Sequence, residues 1–420
     1  MIILFDLIVL TLVALDFIIN RCLCSPVFIF GTLWLMICNL SAMRLYGFTG
    51  YSEKAVAMIM SGVICFIIGC IIAQLILGNQ YKDHKPSNLN LNFTFLNILL
   101  FVTCIGVTVQ LFVSVKSFLS GASYLEVRGD MLGYTDTAGQ SLINSFVSFF
   151  CSPAETVLFP IALLCAFRKR RKKFCLFSFY AFLASVVSSG GRLGVLYAIF
   201  QVLAVFIFLK VKISKKVKKR VIKIVLICIC ALFILTNLRS ANSIWKSVYQ
   251  YFTIPIGLFS HYINVLDLAN FHSFGGAFVY PMCYLLRLIC GFTGSSYSFL
   301  DNLVYYVGYP QNVWVGGLFP DSSFNAFCTM FYYFYMDGRV LGIVICSLLA
   351  GATCGLIFVL GYRNRNENLF ILYLIVIQVL VGSFIIWQFG NTKLFISFFF
   401  LFLAFLTSRK RKIKSVVPFE

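Results

Sequence analysis

A chain of 420 residues with 60% hydrophobic and only 11% charged side chains excludes an ordinary soluble domain, in which about a quarter of residues carry charge. Its 34 Lys and Arg against 14 Asp and Glu give a net charge of +20, which in a soluble chain would point to nucleic acid. The distribution excludes that: the runs RKRRKK (168 to 173), KVKISKKVKKRVIK (210 to 223) and RKRKIK (409 to 414) flank apolar segments, without the folded domain or aromatic platform that nucleic-acid binding would use.

Apolar runs of about 20 residues recur along the chain, each long enough as a helix to cross a hydrocarbon core of about 30 Å. The ten-residue alternation of barrel strands is absent, so the expected fold class is all-α and polytopic. Met1 to Ile19 lacks a basic start and a small-residue cleavage site, and is expected to be a first span. Further spans are expected at 26 to 43, 55 to 77, 93 to 115, 141 to 166, 174 to 190, 193 to 209 and 221 to 238, then at 340 to 360, 369 to 388 and 393 to 407. This predicts about 11 spans in three regions: residues 1–238, a loop at 239–339, and residues 340–420 with a basic tail.

Placing the three basic runs in the cytoplasm puts most of the 34 Lys and Arg there. The N-terminus, the 116 to 140 loop, the Gly190-Gly191-Arg192 turn and the long loop then lie outside, and the C-terminus inside. Most of the sixteen cysteines fall within apolar spans, where a thiol behaves as a small hydrophobe, and neither a C-x-x-C pair nor zinc spacing is present.

The long loop is too aromatic to be a flexible linker and is expected to be folded. SIWKSVYQYFTIPIGLFSHYINVL and GGAFVYPMCYLLRLICGF read as amphipathic helices at the membrane interface, with Pro255, Pro281, Pro310 and Pro320 as breaks and Gly316-Gly317 permitting tight turns.

Arg192 in SSGGRLG has the chemistry of an anion site, since flanking glycines admit a phosphate to backbone N–H groups and a guanidinium pairs with it bidentately; an interfacial snorkelling arginine is the plainer alternative. Arg128, Arg239, Arg287 and Arg339 fall on the same side of the membrane. His261 and His272 titrate near neutrality and are candidate general bases or hydrogen-bonded structural histidines. Asp267, Asp301, Asp321 and Asp337 compete for the same role, Asp337 alternatively as the N-cap of the next span. Asp6, Asp16 and Glu155 lie within spans, which keeps a proton-coupled carrier as a rival. D-x-D, H-E-x-x-H, G-x-S-x-G and Walker A motifs are absent.

Several stretches of the loop follow one another in a familiar order. They are Leu238-Arg239-Ser240, Tyr251-Phe252-Thr253-Ile254-Pro255, Phe274-Gly275-Gly276, Leu286-Arg287-Leu288, Phe324-Asn325-Ala326-Phe327-Cys328-Thr329 and Tyr335-Met336-Asp337-Gly338 with Gly342. Over residues 180 to 360 the chain resembles the oligosaccharide repeat-unit polymerases, the Wzy family of O-antigen and capsular polysaccharide polymerases. It departs in Thr-Ile-Pro at 253 to 255 and in lacking a phenylalanine after Asp337.

The resemblance implies a GT-C-like helical glycosyltransferase of the bacterial inner membrane that polymerises undecaprenyl-pyrophosphate-linked repeat units without metal or cofactor. On that reading Arg192 and Arg239, with Arg287 and Arg128, hold pyrophosphate or glycan, Tyr251 and Asn325 contact substrate, and His261 or Asp337 deprotonates the acceptor hydroxyl. The expected partners are the lipid-linked substrates, membrane lipids, chain-length regulator and flippase proteins, and no nucleic acid. The rivals are an O-antigen ligase-like transferase and, from another class, a polysaccharide flippase or proton-coupled secondary transporter.

Overall fold

The computed structural model describes residues 1–78, 89–121, 138–189, 192–209, 226, 244–320, 322–325 and 328–414. The expected span at 221 to 238 and the basic run at 210 to 223 lie outside the described residues, apart from the single position 226.

The chain is a mostly helical membrane protein. In order, the helices are α1 (Ile2–Asn20), α2 (Pro26–Ala42), α3 (Glu53–Gly78), α4 (Phe93–Leu119), α5 (Ala138–Phe146) and, after a π turn at Val147–Cys151, α6 (Ser152–Phe167), then α7 (Lys172–Ser189) and α8 (Arg192–Phe208). They continue as α9 (Ile244–Ala269), α10 (Tyr280–Phe292), α11 (Ser298–Asn312), α12 (Thr329–Phe358), α13 (Glu367–Gly382) and α14 (Thr392–Lys414). Among the described residues five helices are long and apolar enough to cross a membrane: Ile2–Asn20, Glu53–Leu77, Phe93–Leu119, Leu142–Phe167 and Thr329–Arg363. Pro26–Ala42, Leu193–Phe208, Glu367–Gly382 and Thr392–Leu406 are shorter apolar helices.

Helix starts follow local chemistry. Ser25 accepts from the Phe28 N–H at 3.0 Å with Pro26 in the first turn, and Asn92 accepts from the N–H groups of Thr94 at 3.0 Å and Phe95 at 3.2 Å.

The contacts divide the chain into two units. The first comprises Met1–His84, Trp245–Asn364 and Val376–Thr392; the second comprises Lys85–Ile244, Arg365–Ile375 and Lys393–Glu420. Both are interleaved in sequence, because helices distant along the chain share a core.

In the first unit α3 lies against α12 at backbone contact. A Cβ at Gly351 would stand 2.0 Å from the Phe66 carbonyl oxygen, one at Gly355 2.6 Å from that of Cys70, and one at Gly69 2.2 Å from that of Leu348. Small residues at such an interface let dispersion act between main chains, the main attraction where lipid is as apolar as leucine. Phe30 stacks on Phe66 at 3.9 Å, and the Trp34 ring meets Phe331 at 5.0 Å while its Nε1 donates to Ser383 Oγ at 3.1 Å.

The long loop departs from expectation in four ways. Residues 329–337 are buried helix rather than loop, so the boundary expected at 339/340 falls inside α12, at a kink. Its tyrosines and the Asp337-Gly338-Arg339 interruption hide this stretch from a hydropathy reading. Pro255 and Pro310 lie inside α9 and α11 instead of ending them, both buried, and Pro281 sits in the first turn of α10, where a missing N–H leaves no bond unmade. The expected all-α class is modified by an antiparallel hairpin, β1 (Val315–Phe319) with β2 (Ser322–Phe324), in which Gly317 takes φ +78°. Finally, α9 is packed within protein: Ile254, Ile256, Leu258, Phe259, Tyr262, Ile263 and Leu266 are all buried. α10 keeps the exposed apolar face expected of an interfacial helix, with Met282, Leu285, Leu286, Ile289 and Phe292 exposed.

In the second unit Val107, Val147, Cys151, Ala181 and Ala184 form one core cluster, and Arg168 pairs with Glu367.

Candidate functional site

The kink in α12 places two acids in contrasting roles. Asp337, on the last turn before it, is 5% exposed. Its Oδ1 accepts from Ser273 Oγ at 2.5 Å and from the Ala277 N–H at 2.9 Å, and its Oδ2 accepts from the Phe278 N–H at 2.9 Å, with Cys346 Sγ at 3.8 Å. Both oxygens are committed. Asp337 therefore clamps the 273–278 turn rather than standing free as a base, and it caps that turn rather than its own helix. Through this one carboxylate the 335–338 stretch holds the residues on either side of the 274–276 stretch. Trp387 closes the turn, stacking on Phe278 at 5.1 Å and donating to the Phe278 carbonyl at 2.9 Å.

Arg339 follows with φ 53° and ψ −131°, a backbone conformation that favours glycine and costs a side-chain-bearing residue of order 1–3 kcal/mol. Its Nη2 donates to the Leu266 carbonyl at 2.7 Å, its Nε lies 3.2 Å from Asp267 Oδ1, and its guanidinium carbon stands 5.1 Å from the Tyr335 ring centroid. Nη1 is shielded from solvent without an acceptor among the described residues. Asp267 also accepts from the Tyr335 hydroxyl at 2.7 Å and from Lys54 Nζ at 3.1 Å. Two cations thus share one carboxylate. Partial burial alone would raise the Asp267 carboxyl, but the Tyr335 hydroxyl, Lys54 and Arg339 together hold it below its ordinary value.

His261 is exposed on α9, and its ring touches Tyr262 edge-on at 5.5 Å. Desolvation of its flank lowers the imidazole from its ordinary value, so it is neutral at pH 7 and able to accept a proton. Six residues separate it from Asp267, about 9 Å along the helix and about a third of a turn round it.

The other sequence-predicted residues do not converge on this cluster. Arg287 Nε donates to Asp301 Oδ1 at 2.7 Å in an exposed pair, beside a shallow pocket of about 400 Å³ lined in part by Phe292, Ser295 and Tyr297. Tyr251 packs edge-on against Phe252 and Phe384, each at 5.7 Å. Asn325 Nδ2 donates to the Gln311 carbonyl at 2.9 Å and so ties β2 to the end of α11. Arg128 and Arg239 lie outside the described residues; Arg192 opens α8, but its side chain is likewise outside them.

Of the intramembrane acids, Asp16 is fully buried and bonded to Asn20 and Ser25, Asp6 accepts from Asn39 at 2.9 Å, and Glu155 keeps one shielded oxygen without a partner among the described residues.

The sequence held one legible signal for the cluster: Tyr335 and Arg339 stand at i and i+4. Nothing in it linked Lys54 or Asp267 to them, since those partners are hundreds of positions apart or on another helix. Comparison of the chain with protein-family models, curated proteins and solved structures gives no match.

Proposed function

We propose that the protein is a membrane glycosyltransferase that polymerises oligosaccharide units carried on a polyprenyl pyrophosphate, of the Wzy kind, with about 11 spans in a GT-C-like arrangement. The proposal places it in a bacterial inner membrane, N-terminus outside and C-terminus cytoplasmic, alongside chain-length regulator and flippase proteins. The observation that carries it is Arg339: an arginine occupies a backbone position suited to glycine, and one shielded guanidinium nitrogen has no acceptor among the described residues. A strained cation with spare donors suits a leaving pyrophosphate, whose developing charge needs donors already in place. Lys54 adds a second cation; Arg192 and Arg239 are kept as proposed pyrophosphate ligands from the sequence alone. His261 is the proposed base, being neutral and unencumbered, whereas Asp337 is reassigned to holding the 273–278 turn.

The test uses a strain lacking the gene, complemented with single variants, with surface glycan resolved by length. Arg339→Gly keeps the backbone and removes the charge; it should shorten the ladder to single repeat units at normal protein level. Long chains persisting in Arg339→Gly, Arg192→Ala and Arg239→Ala alike would sink the proposal. A ligase-like enzyme would instead leave full-length polymer on the carrier. Glu155 is the observation that favours a carrier as the second reading, and substrate movement abolished by Glu155→Gln with the glycan ladder unchanged would select it.

A further inference from the structure

The second unit carries a feature that glycosyl transfer does not use. Helices α4 and α7 run side by side in the same direction: Phe93 meets Phe174 edge-on at 5.7 Å, Cys104 Sγ reaches the Phe177 carbonyl at 3.7 Å, and the Thr108 and Tyr180 hydroxyls bond at 2.8 Å. Between them lies a groove of about 720 Å³, floored by α4 from Asn97 to Val109 and walled by Lys173, Phe174, Phe177 and Tyr180 of α7. Twelve residues of helix measure about 18 Å, close to the half-thickness of a hydrocarbon core of about 30 Å. The groove therefore matches one leaflet in length, and its walls are apolar for most of it.

Its two ends differ. At the far end the Thr108 and Tyr180 hydroxyls satisfy each other. At the near end stand Lys173 and Asn97, and the Asn97 amide has no partner among the described residues. Lys173 closes the run Arg168 to Lys173, six cations of which only Arg168 has a carboxylate partner among the described residues, while Arg171 lies 3.7 Å over the Phe93 ring. The near end is thus a concentrated positive charge beside an unused amide, opening onto an apolar channel one leaflet deep.

We infer that this groove binds a glycerophospholipid with an anionic headgroup, its phosphate at Lys173, its glycerol region at Asn97 and an acyl chain along α4 as far as Thr108. A basic residue near a membrane surface strengthens such attraction, and a pocket between spans makes it site-specific. The charge of Lys173 at the mouth, with the rest of the basic run just before it in sequence, selects an anionic over a zwitterionic lipid.

The experiment is native mass spectrometry of the full chain released from detergent after titration with phosphatidylglycerol or chain-matched phosphatidylcholine. Wild type should retain phosphatidylglycerol in preference. Lys173→Gln, at an exposed position that folding does not depend on, should weaken phosphatidylglycerol retention about fivefold and leave phosphatidylcholine unchanged. Ile105→Trp, which fills the groove, should weaken it with all cations in place. Equal retention of both lipids would mean annular lipid only and overturn the inference. So would an equal loss in Lys169→Gln, which removes a cation of the same run outside the groove, or a second copy of this chain that persists in place of lipid.

Discussion

Two halves of the folded loop in the first unit use the same residue types to opposite effect. Around the α12 kink, Asp337 and Asp267 serve seven contacts between them from Ser273, Ala277, Phe278, Cys346, Tyr335, Lys54 and Arg339. On α10 and α11, Arg287 and Asp301 pair with each other in the open. Burial explains the difference: a shielded donor must find an acceptor or cost about 1–3 kcal/mol, whereas an exposed ion pair exchanges freely with water. The kink is where the fold depends on its charges, and the α10–α11 pair is one that water can replace.

Variants can break this contrast, beginning with the largest effect. Asp337→Ala orphans three donors at once and should lose several kcal/mol, at about 1–3 kcal/mol each, seen as a collapse of folded protein recovered from membranes. Asp337→Asn, which keeps one acceptor oxygen, should recover part of it. Next, Gly351→Leu forces a side chain into the Phe66 carbonyl and should cost about 1–3 kcal/mol or more, read as a lowered thermal midpoint in detergent. Gly291→Leu on α10, where a Cβ meets nothing within 4 Å, should not move that midpoint.

A smaller effect is expected at Asp267. Its folded-state value is depressed, so its contribution to stability is complete above the ordinary value of 3.8 and is lost as pH falls through the lower folded value. Asp267→Asn should remove that acid-side slope; a thermal midpoint whose pH dependence below pH 4 matches wild type would contradict the shared-carboxylate account. The smallest effect belongs to Arg287→Gln, which should leave the midpoint unchanged, because the exposed pair it breaks exchanges freely with water.

Much of the candidate site was visible as residues but not as a constellation. Hydropathy exposed the long apolar helices because each is a property of about 20 consecutive side chains, and the arginines were legible because charge is rare here. What escaped was pairing. Arg339 was one outside arginine among several until its backbone angles and its Leu266, Asp267 and Tyr335 contacts set it apart. Asp337 reads in sequence as a base or an N-cap, and the groups that donate to it come from a turn some sixty positions earlier.

By itself the amino-acid sequence determined the solvent this protein lives in, the helical secondary structure that solvent enforces, and which segments carry unbalanced positive charge, since all of these are local sums along the chain. Only the tertiary structure decided that α12 begins inside the loop, that Gly69, Gly351 and Gly355 bring two backbones into contact, and that one carboxylate clamps a turn while another is shared by two cations. Those outcomes depend on which distant groups lose water together, and no window along the chain contains both partners.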